Sequence, residues 1–249
     1  MSYLPLVLGH AGAGVTGPTP ENSLAGAAQA LREGADGIEI DVQLSADGEP
    51  VLMHDATVAR MTGAHGRVRA LTLAQLQQAR LANGEGVPTL SALLQQVAGR
   101  MTVMCELKVD RDDPVEAAGK GEFVVAVLRV IAAHEAHAWT AIHSFDGDVV
   151  AAARLAEPRV SAALIVPNQD EAGMQRMLGA LLRRHAQAIS VQHACITPEL
   201  VRLAKRRQVT LWCWSPNREA DWARLLDAGV DGIMTDHPAA LRAFIAGRG

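Results

Sequence analysis

The sequence predicts one α/β domain over residues 1–249, a (β/α)8 barrel with a small insertion at about 45–100, between its second and third strands. Three observations predict it. Eight short apolar or β-branched runs recur along the chain, longer alanine- and leucine-rich amphipathic stretches alternate with them, and 249 residues suit one such barrel. A doubly wound open sheet is the alternative. It lacks its usual G-x-G-x-x-G after the first strand, because Gly9, Gly12 and Gly14 have another spacing.

Taken in order, the strands are expected over 5–9, 37–43, 101–108, 139–143, 160–166, 187–192, 209–214 and 231–235. Helices are expected over 21–33, 123–134, 147–156, 171–184, 198–206, 218–228 and 238–246. Thr197-Pro198-Glu199 sets a cap, a first-turn proline and an early acid in sequence, and His237-Pro238 repeats that start at the last helix. The insertion reads as a hairpin over 44–53 turning at Asp47-Gly48, a loop with Gly63, Gly66 and Gly84, and helices over 73–79 and 90–98. It is too short to be a domain of its own.

In Gly37-Ile38-Glu39-Ile40-Asp41-Val42, strand alternation sends both carboxylates to one face and the apolar residues to the other. Two neighbouring buried anions cost several kcal/mol each unless a positive charge compensates. Glu106 and Lys108 share a strand face in the same way. In a barrel, the functional face is at the C-terminal ends of the strands, where these residues fall. Glu39, Asp41 and Glu106 offer hard oxygen ligands, which suit Mg2+ or Ca2+, and no His or Cys cluster at ligand spacing points to zinc. Pairing of each acid with a Lys or Arg, Lys108 foremost for Glu106, is the plainer reading of any one of them.

His10 ends the first strand and His54 follows the hairpin, so both enter the barrel mouth, where an imidazole suits acid–base chemistry. Asp55 either orients an imidazole or starts the next turn. His143 and His193 also end strands. Trp212 is core or pocket, and Trp214, nearer the mouth, is expected to roof the pocket over an apolar part of a substrate.

The chain resembles the glycerophosphodiester phosphodiesterases along nearly its whole length. The matches fall in order: His10 with Gly12, Pro20-Glu21-Asn22-Ser23, Glu39-x-Asp41, His54-Asp55, Thr62-Gly63, Pro88-Thr89-Leu90, Glu106-Leu107-Lys108, Trp214 to Asn217, and Asp231 to Pro238. Each motif alone is weak, and the ordered set is specific. The resemblance implies a TIM barrel that cuts glycerophosphodiesters such as glycerophosphocholine or glycerophosphoethanolamine to sn-glycerol 3-phosphate and an alcohol. It implies Mg2+ or Ca2+ on Glu39, Asp41 and Glu106, acid–base work by His10 and His54, and a phosphate contact from Lys108. The family's first motif is His-Arg-Gly, and here it reads His10-Ala11-Gly12. Arg60 and Arg67 are the candidate replacements for the missing cation.

Two other functions stand beside this one. A lysophospholipase D-like hydrolase needs an apolar mouth, whereas residues 63–69 are rich in glycine and arginine. A phosphate- or metabolite-binding barrel without catalysis is suggested by Ala11, but it leaves five intact site residues unexplained. A net charge of -4 argues against nucleic acid as a partner. No apolar run approaches the roughly 20 residues of a membrane span, so stable membrane association is not expected. The first residues lack the basic and apolar regions of a signal peptide. Three scattered cysteines read as free thiols, and a cytoplasmic location is the expectation.

Overall fold

The computed structural model describes residues 4–110, 112–167, 169, 171–183 and 186–248. Its strands are β1 (Leu6–Gly9), β2 (Gly37–Leu44), β3 (Pro50–Leu52), β4 (Thr102–Leu107), β5 (Thr140–Ser144), β6 (Ser161–Val166), β7 (Ala188–Gln192), β8 (Thr210–Trp214) and β9 (Gly232–Thr235). Each expected strand forms, with its ends moved by no more than one residue. All but β3 run parallel, in the order β1-β9-β8-β7-β6-β5-β4-β2, and β1 pairs with both β9 and β2 to close the ring. β3 lies antiparallel to β2 as the hairpin arm outside that ring.

The helices are α1 (Leu24–Arg32), α2 (Ala59–Thr62), α3 (Leu73–Gln78), α4 (Leu90–Val97), α5 (Pro114–Ala118), α6 (Lys120–Ala133), α7 (Gly147–Ala156), α8 (Glu171–Arg183), α9 (Pro198–Arg206), α10 (Glu219–Ala228) and α11 (Pro238–Ala246). None of the described helices is long and apolar enough to cross a membrane. Helix α1 starts three residues later than expected because Asn22 adopts a left-handed backbone (φ 53°) and Ser23 accepts a hydrogen bond from the Gly26 amide as the cap. Residue 184, the expected end of the helix at α8, lies outside the described residues. Helix α4 falls inside the expected insertion, yet Leu90, Leu93, Leu94 and Val97 join the outer core with Ile38 and Val103. It is therefore the barrel helix that follows β2. Helix α5 escaped the sequence reading: Pro114 is its first residue, and the Asp113 carboxylate accepts from the Val115 amide. At α11 the proline start holds, but the His237 side chain caps nothing; the Thr235 hydroxyl accepts from the His237 amide instead.

Strand alternation gives the barrel two cores. Outward residues such as Ile38, Ile40, Val42, Val103 and Cys105 pack under the helices. Inward ones form a floor of Leu8, Met104, Ala141, Ala163, Ala188, Trp212 and Met234, one from each of seven strands. Three consecutive alanines around the ring leave the volume that the Trp212 indole fills, so Trp212 is core. The insertion buries a small cluster of Val51, Met53, Val58, Val68, Leu76 and Val87.

Candidate active site

Above this floor, the next inward positions are polar. β2 sends in Glu39 and Asp41, each 2% exposed. In register, Asp41 pairs with Glu106 on β4, and Glu106 with His143 on β5. One face of three adjacent strands thus brings together three carboxylates and an imidazole, all buried. The Lys108 ammonium sits 2.9 Å from Asp41 Oδ1 and 2.6 Å from Glu106 Oε1. Burial disfavours its charge, but those two anions outweigh burial and hold the ammonium charged well above its usual range. For Glu106 burial wins, with Asp41 and Glu39 adding to it, and its carboxyl titrates above the ordinary value despite Lys108. For Glu39 burial is again unfavourable, but His143, His10 and Lys108 hold its carboxyl down at about 2.

Backbone and amide donors fix these acids. Glu39 Oε2 accepts from the Ala11 amide at 3.1 Å, while Oε1 is buried with no hydrogen-bond partner among the described residues. The Asn22 side chain donates to Asp41 Oδ2 and accepts from the Asp41 amide, both at 2.8 Å. Ala11 itself is buried with φ 48°, a conformation unusual for alanine, and its carbonyl accepts from the Asn22 amide. Donor atoms of Glu39, Glu106 and His143 lie within 4.8 Å of one another, close enough to share one metal ion.

Both predicted histidines line the same cavity of about 120 Å³, with Glu39, Asp41, Glu106, Lys108, His143, Phe145 and Trp214. Each has a carboxylate on Nδ1. His10 Nδ1 meets Asp236 Oδ1 at 2.8 Å, and His54 Nδ1 meets Asp55 Oδ1 at 2.8 Å. This leaves Nε2 of each ring for a substrate. Burial disfavours the His10 cation, but the Asp236 hydrogen bond and the charges of Glu39, Asp236 and Asp41 prevail, lifting its pKa to about 9. Asp55 does orient an imidazole, and its hydrogen bond with Arg60 holds its own carboxyl at about 2. The loop that carries His54 is tied to β2 by buried Gln43, whose amide nitrogen donates towards the carbonyls of Met53, His54 and Asp55 at 2.7–3.2 Å.

Asp236, Asn22, Asn217 and Gln43 position the site without having been singled out for it. Pro20-Glu21-Asn22-Ser23 reads as a cap, which Ser23 is, and nothing in that reading reveals that Asn22 also reaches Asp41. Asn217 donates to Asp236 Oδ2 at 2.6 Å and accepts from the Asp236 amide at 2.9 Å. The long separations hide these pairs from periodicity. His193 lies in a turn 3.9 Å from Asp221, outside the cavity lining. Trp214 lines the cavity, half-buried, edge-on to Phe145 with ring centres 6.0 Å apart. The proposed stand-ins for the missing arginine point elsewhere: Arg60 pairs with Glu21 and Asp55, and Arg67 with Asp113 and Glu116. Burial lifts the Cys105 thiol to about 12 and raises Cys213 too, so neither is a nucleophile at neutral pH.

Residues 10–240 match the family model described as the glycerophosphoryl diester phosphodiesterase family. A glycerophosphodiester phosphodiesterase of Caldanaerobacter subterraneus subsp. tengcongensis is 30% identical, over 95% of this chain and 96% of its own. A solved protein of Silicibacter pomeroyi DSS-3 superposes with a TM-score of 0.89 at 27% identity, covering 100% of this chain and 95% of its own. A phosphodiesterase of Oleispira antarctica, solved with the product sn-glycerol-3-phosphate, shares the fold at a TM-score of 0.85 and 24% identity, covering 98% of both chains.

Proposed function

Because the chain belongs to the glycerophosphoryl diester phosphodiesterase family and is a phosphoric diester hydrolase of that family, we propose that its barrel mouth cleaves glycerophosphodiesters, such as glycerophosphocholine or glycerophosphoethanolamine, to sn-glycerol 3-phosphate and an alcohol with a divalent cation. The observation that carries this reading is the pair of histidines, His10 and His54, on one cavity with their Nδ1 atoms held by carboxylates. A barrel that only binds phosphate has no need of two imidazoles oriented in this way.

Glu39, Asp41 and Glu106 would hold Mg2+ or Ca2+. The chemistry of the set supports this: all three are hard oxygen ligands, and Glu39 and Glu106 have donor atoms within 4.8 Å of each other. Glu39 Oε1 is buried with no hydrogen bond among the described residues, whereas the Asp41 oxygens are held by Lys108 and Asn22 and would have to exchange one of them for the ion. The cation would neutralise charge on the non-bridging phosphate oxygens, which otherwise repel a nucleophile. The chain's own groups do the rest. One histidine takes a proton from the nucleophile, either water or the glycerol 2-hydroxyl, and the other gives a proton to the leaving oxygen. Lys108, partly exposed beside Asp41 and Glu106, would turn its ammonium to a phosphate oxygen. The Trp214 ring covers the pocket wall beside Phe145 and would bear on the apolar part of the substrate.

The test is release of glycerol 3-phosphate from glycerophosphocholine, with EDTA and then with Mg2+ or Ca2+ restored. Release that is abolished by EDTA and recovered with either ion is expected. Release indifferent to EDTA would overturn the metal-dependent reading, and no release from any glycerophosphodiester would overturn the substrate class.

A further inference from the structure

We propose that His143 is also a ligand of the divalent cation, so that the centre is a mixed oxygen and nitrogen set. This rests on the metal-dependent reading above and extends it to a side chain outside the three carboxylates.

His143 ends β5 on the inward face, 2% exposed, with its Cα in register with that of Glu106. Neither ring nitrogen has a hydrogen-bond partner among the described residues. Its Nε2 lies 3.7 Å from Glu39 Oε1, a buried carboxylate oxygen that also lacks a hydrogen bond among the described residues. Two polar atoms that face each other in a closed interior without a hydrogen bond are a costly arrangement unless their own charges, or an ion between them, compensate. The separation is too long for a hydrogen bond. It does suit two donors on one ion, since donors at about 2.0–2.6 Å from a metal lie about 3–5 Å apart. The Glu106 donor lies within 4.8 Å of both.

Depth separates His143 from the two histidines assigned to proton transfer. The side chains of His10 and His54 are 29% and 50% exposed, at the rim where a substrate arrives. His143 is beneath them, among the carboxylates. An imidazole at that depth changes which ion is preferred. Nitrogen ligands favour manganese, cobalt and zinc over magnesium and calcium, which prefer all-oxygen shells.

The experiment uses the full chain loaded with Mn2+, read by electron spin echo envelope modulation and by competition with Mg2+. The wild type is expected to bind one Mn2+ with nitrogen modulation from a coordinated imidazole. His143→Gln should still bind Mn2+, lose that modulation, and lose about tenfold in its preference for Mn2+ over Mg2+. His10→Gln and His54→Gln should keep the modulation, which assigns the nitrogen even if the His143 variant does not fold. Mn2+ bound by the wild type without nitrogen modulation, or modulation that persists in a folded His143→Gln, would overturn the inference and leave His143 as a charge partner of Glu39. Failure of the wild type to bind Mn2+, Mg2+ or Ca2+ would overturn the metal-dependent reading itself, and this inference with it.

Discussion

His10 Nδ1 and Asp236 Oδ1 lie 2.8 Å apart across the seam where β1 meets β9, joining residues 226 positions apart in sequence. Asp236 is itself gripped by Asn217 Nδ2 at 2.6 Å and by the Val15 amide at 3.2 Å, so the imidazole has a fixed orientation. Asp236→Asn should therefore lower kcat by about 10–100-fold with little change in KM, by analogy with other groups that orient a functional imidazole. His10→Ala should cost more, about 10²–10⁴-fold in kcat. Steady-state kinetics on glycerophosphocholine checks both, and near-normal turnover by His10→Ala would sink the assignment.

Gly14 offers a second way to disturb the same carboxylate. Its φ is 101°, and a Cβ there would stand 2.3 Å from the Asp236 backbone carbonyl. Gly14→Ala should lower Tm and kcat together, because the positive φ strains an alanine and the Asp236 backbone must shift to admit its Cβ. Thermal melts and kinetics on one preparation test this, and a variant with unchanged kcat would show that Asp236 does not fix His10.

The His10 pKa sets a pH dependence in the metal-free protein. Raised to about 9 in the fold from an ordinary 6.5, it means the folded state binds the proton more tightly than the unfolded chain does. The stabilisation is fully present below about pH 6.5 and fades as pH rises through about 9. The Tm of the EDTA-treated wild type should exceed that of Asp236→Asn at pH 6 by more than at pH 9.5. A difference that grows with pH would contradict the sign.

Gln43 should matter to both stability and rate. Replacing it with leucine leaves three carbonyls near Met53–Asp55 without their donor, a loss of about 1–3 kcal/mol. The same change frees the loop that holds His54. Urea unfolding should show the loss, and kcat should fall further than KM rises. Full stability with reduced kcat would mean that Gln43 touches the chemistry more directly than its contacts indicate.

Ala11→Arg tests the place where this chain departs from its family. Ala11 is 1% exposed, and its amide already serves Glu39. An arginine at so buried a position would displace its neighbours and take up the Glu39 carboxylate proposed for a cation, so kcat/KM should fall. A rise in kcat/KM, largest at low ionic strength, would instead show that the position still accepts the family residue.

Strand periodicity made the barrel legible: in β2 the alternation of Ile38, Ile40 and Val42 with Glu39 and Asp41 gives the face and the depth of each residue at once. The strand ends then located His10, Glu106 and Trp214. Contacts between distant segments were not legible, because nothing in local pattern marks that Asn22 meets Asp41 or that Asp236 meets His10. His143 shows the same limit. A histidine that ends a strand looks alike whether solvent or a buried carboxylate faces it, and only the closed ring decides which.

Lys108 lies against Asp41 and Glu106 at salt-bridge distance, so these acids have a built-in counterion from the moment the barrel closes. Asp41 and Glu106 therefore do not depend on an ion for their compensation. Occupancy and architecture are thus separable: a chelated sample should be dormant and not denatured, keep its circular dichroism spectrum, and regain turnover when the ion returns. An ion bound there would be an exchangeable tenant of a finished house.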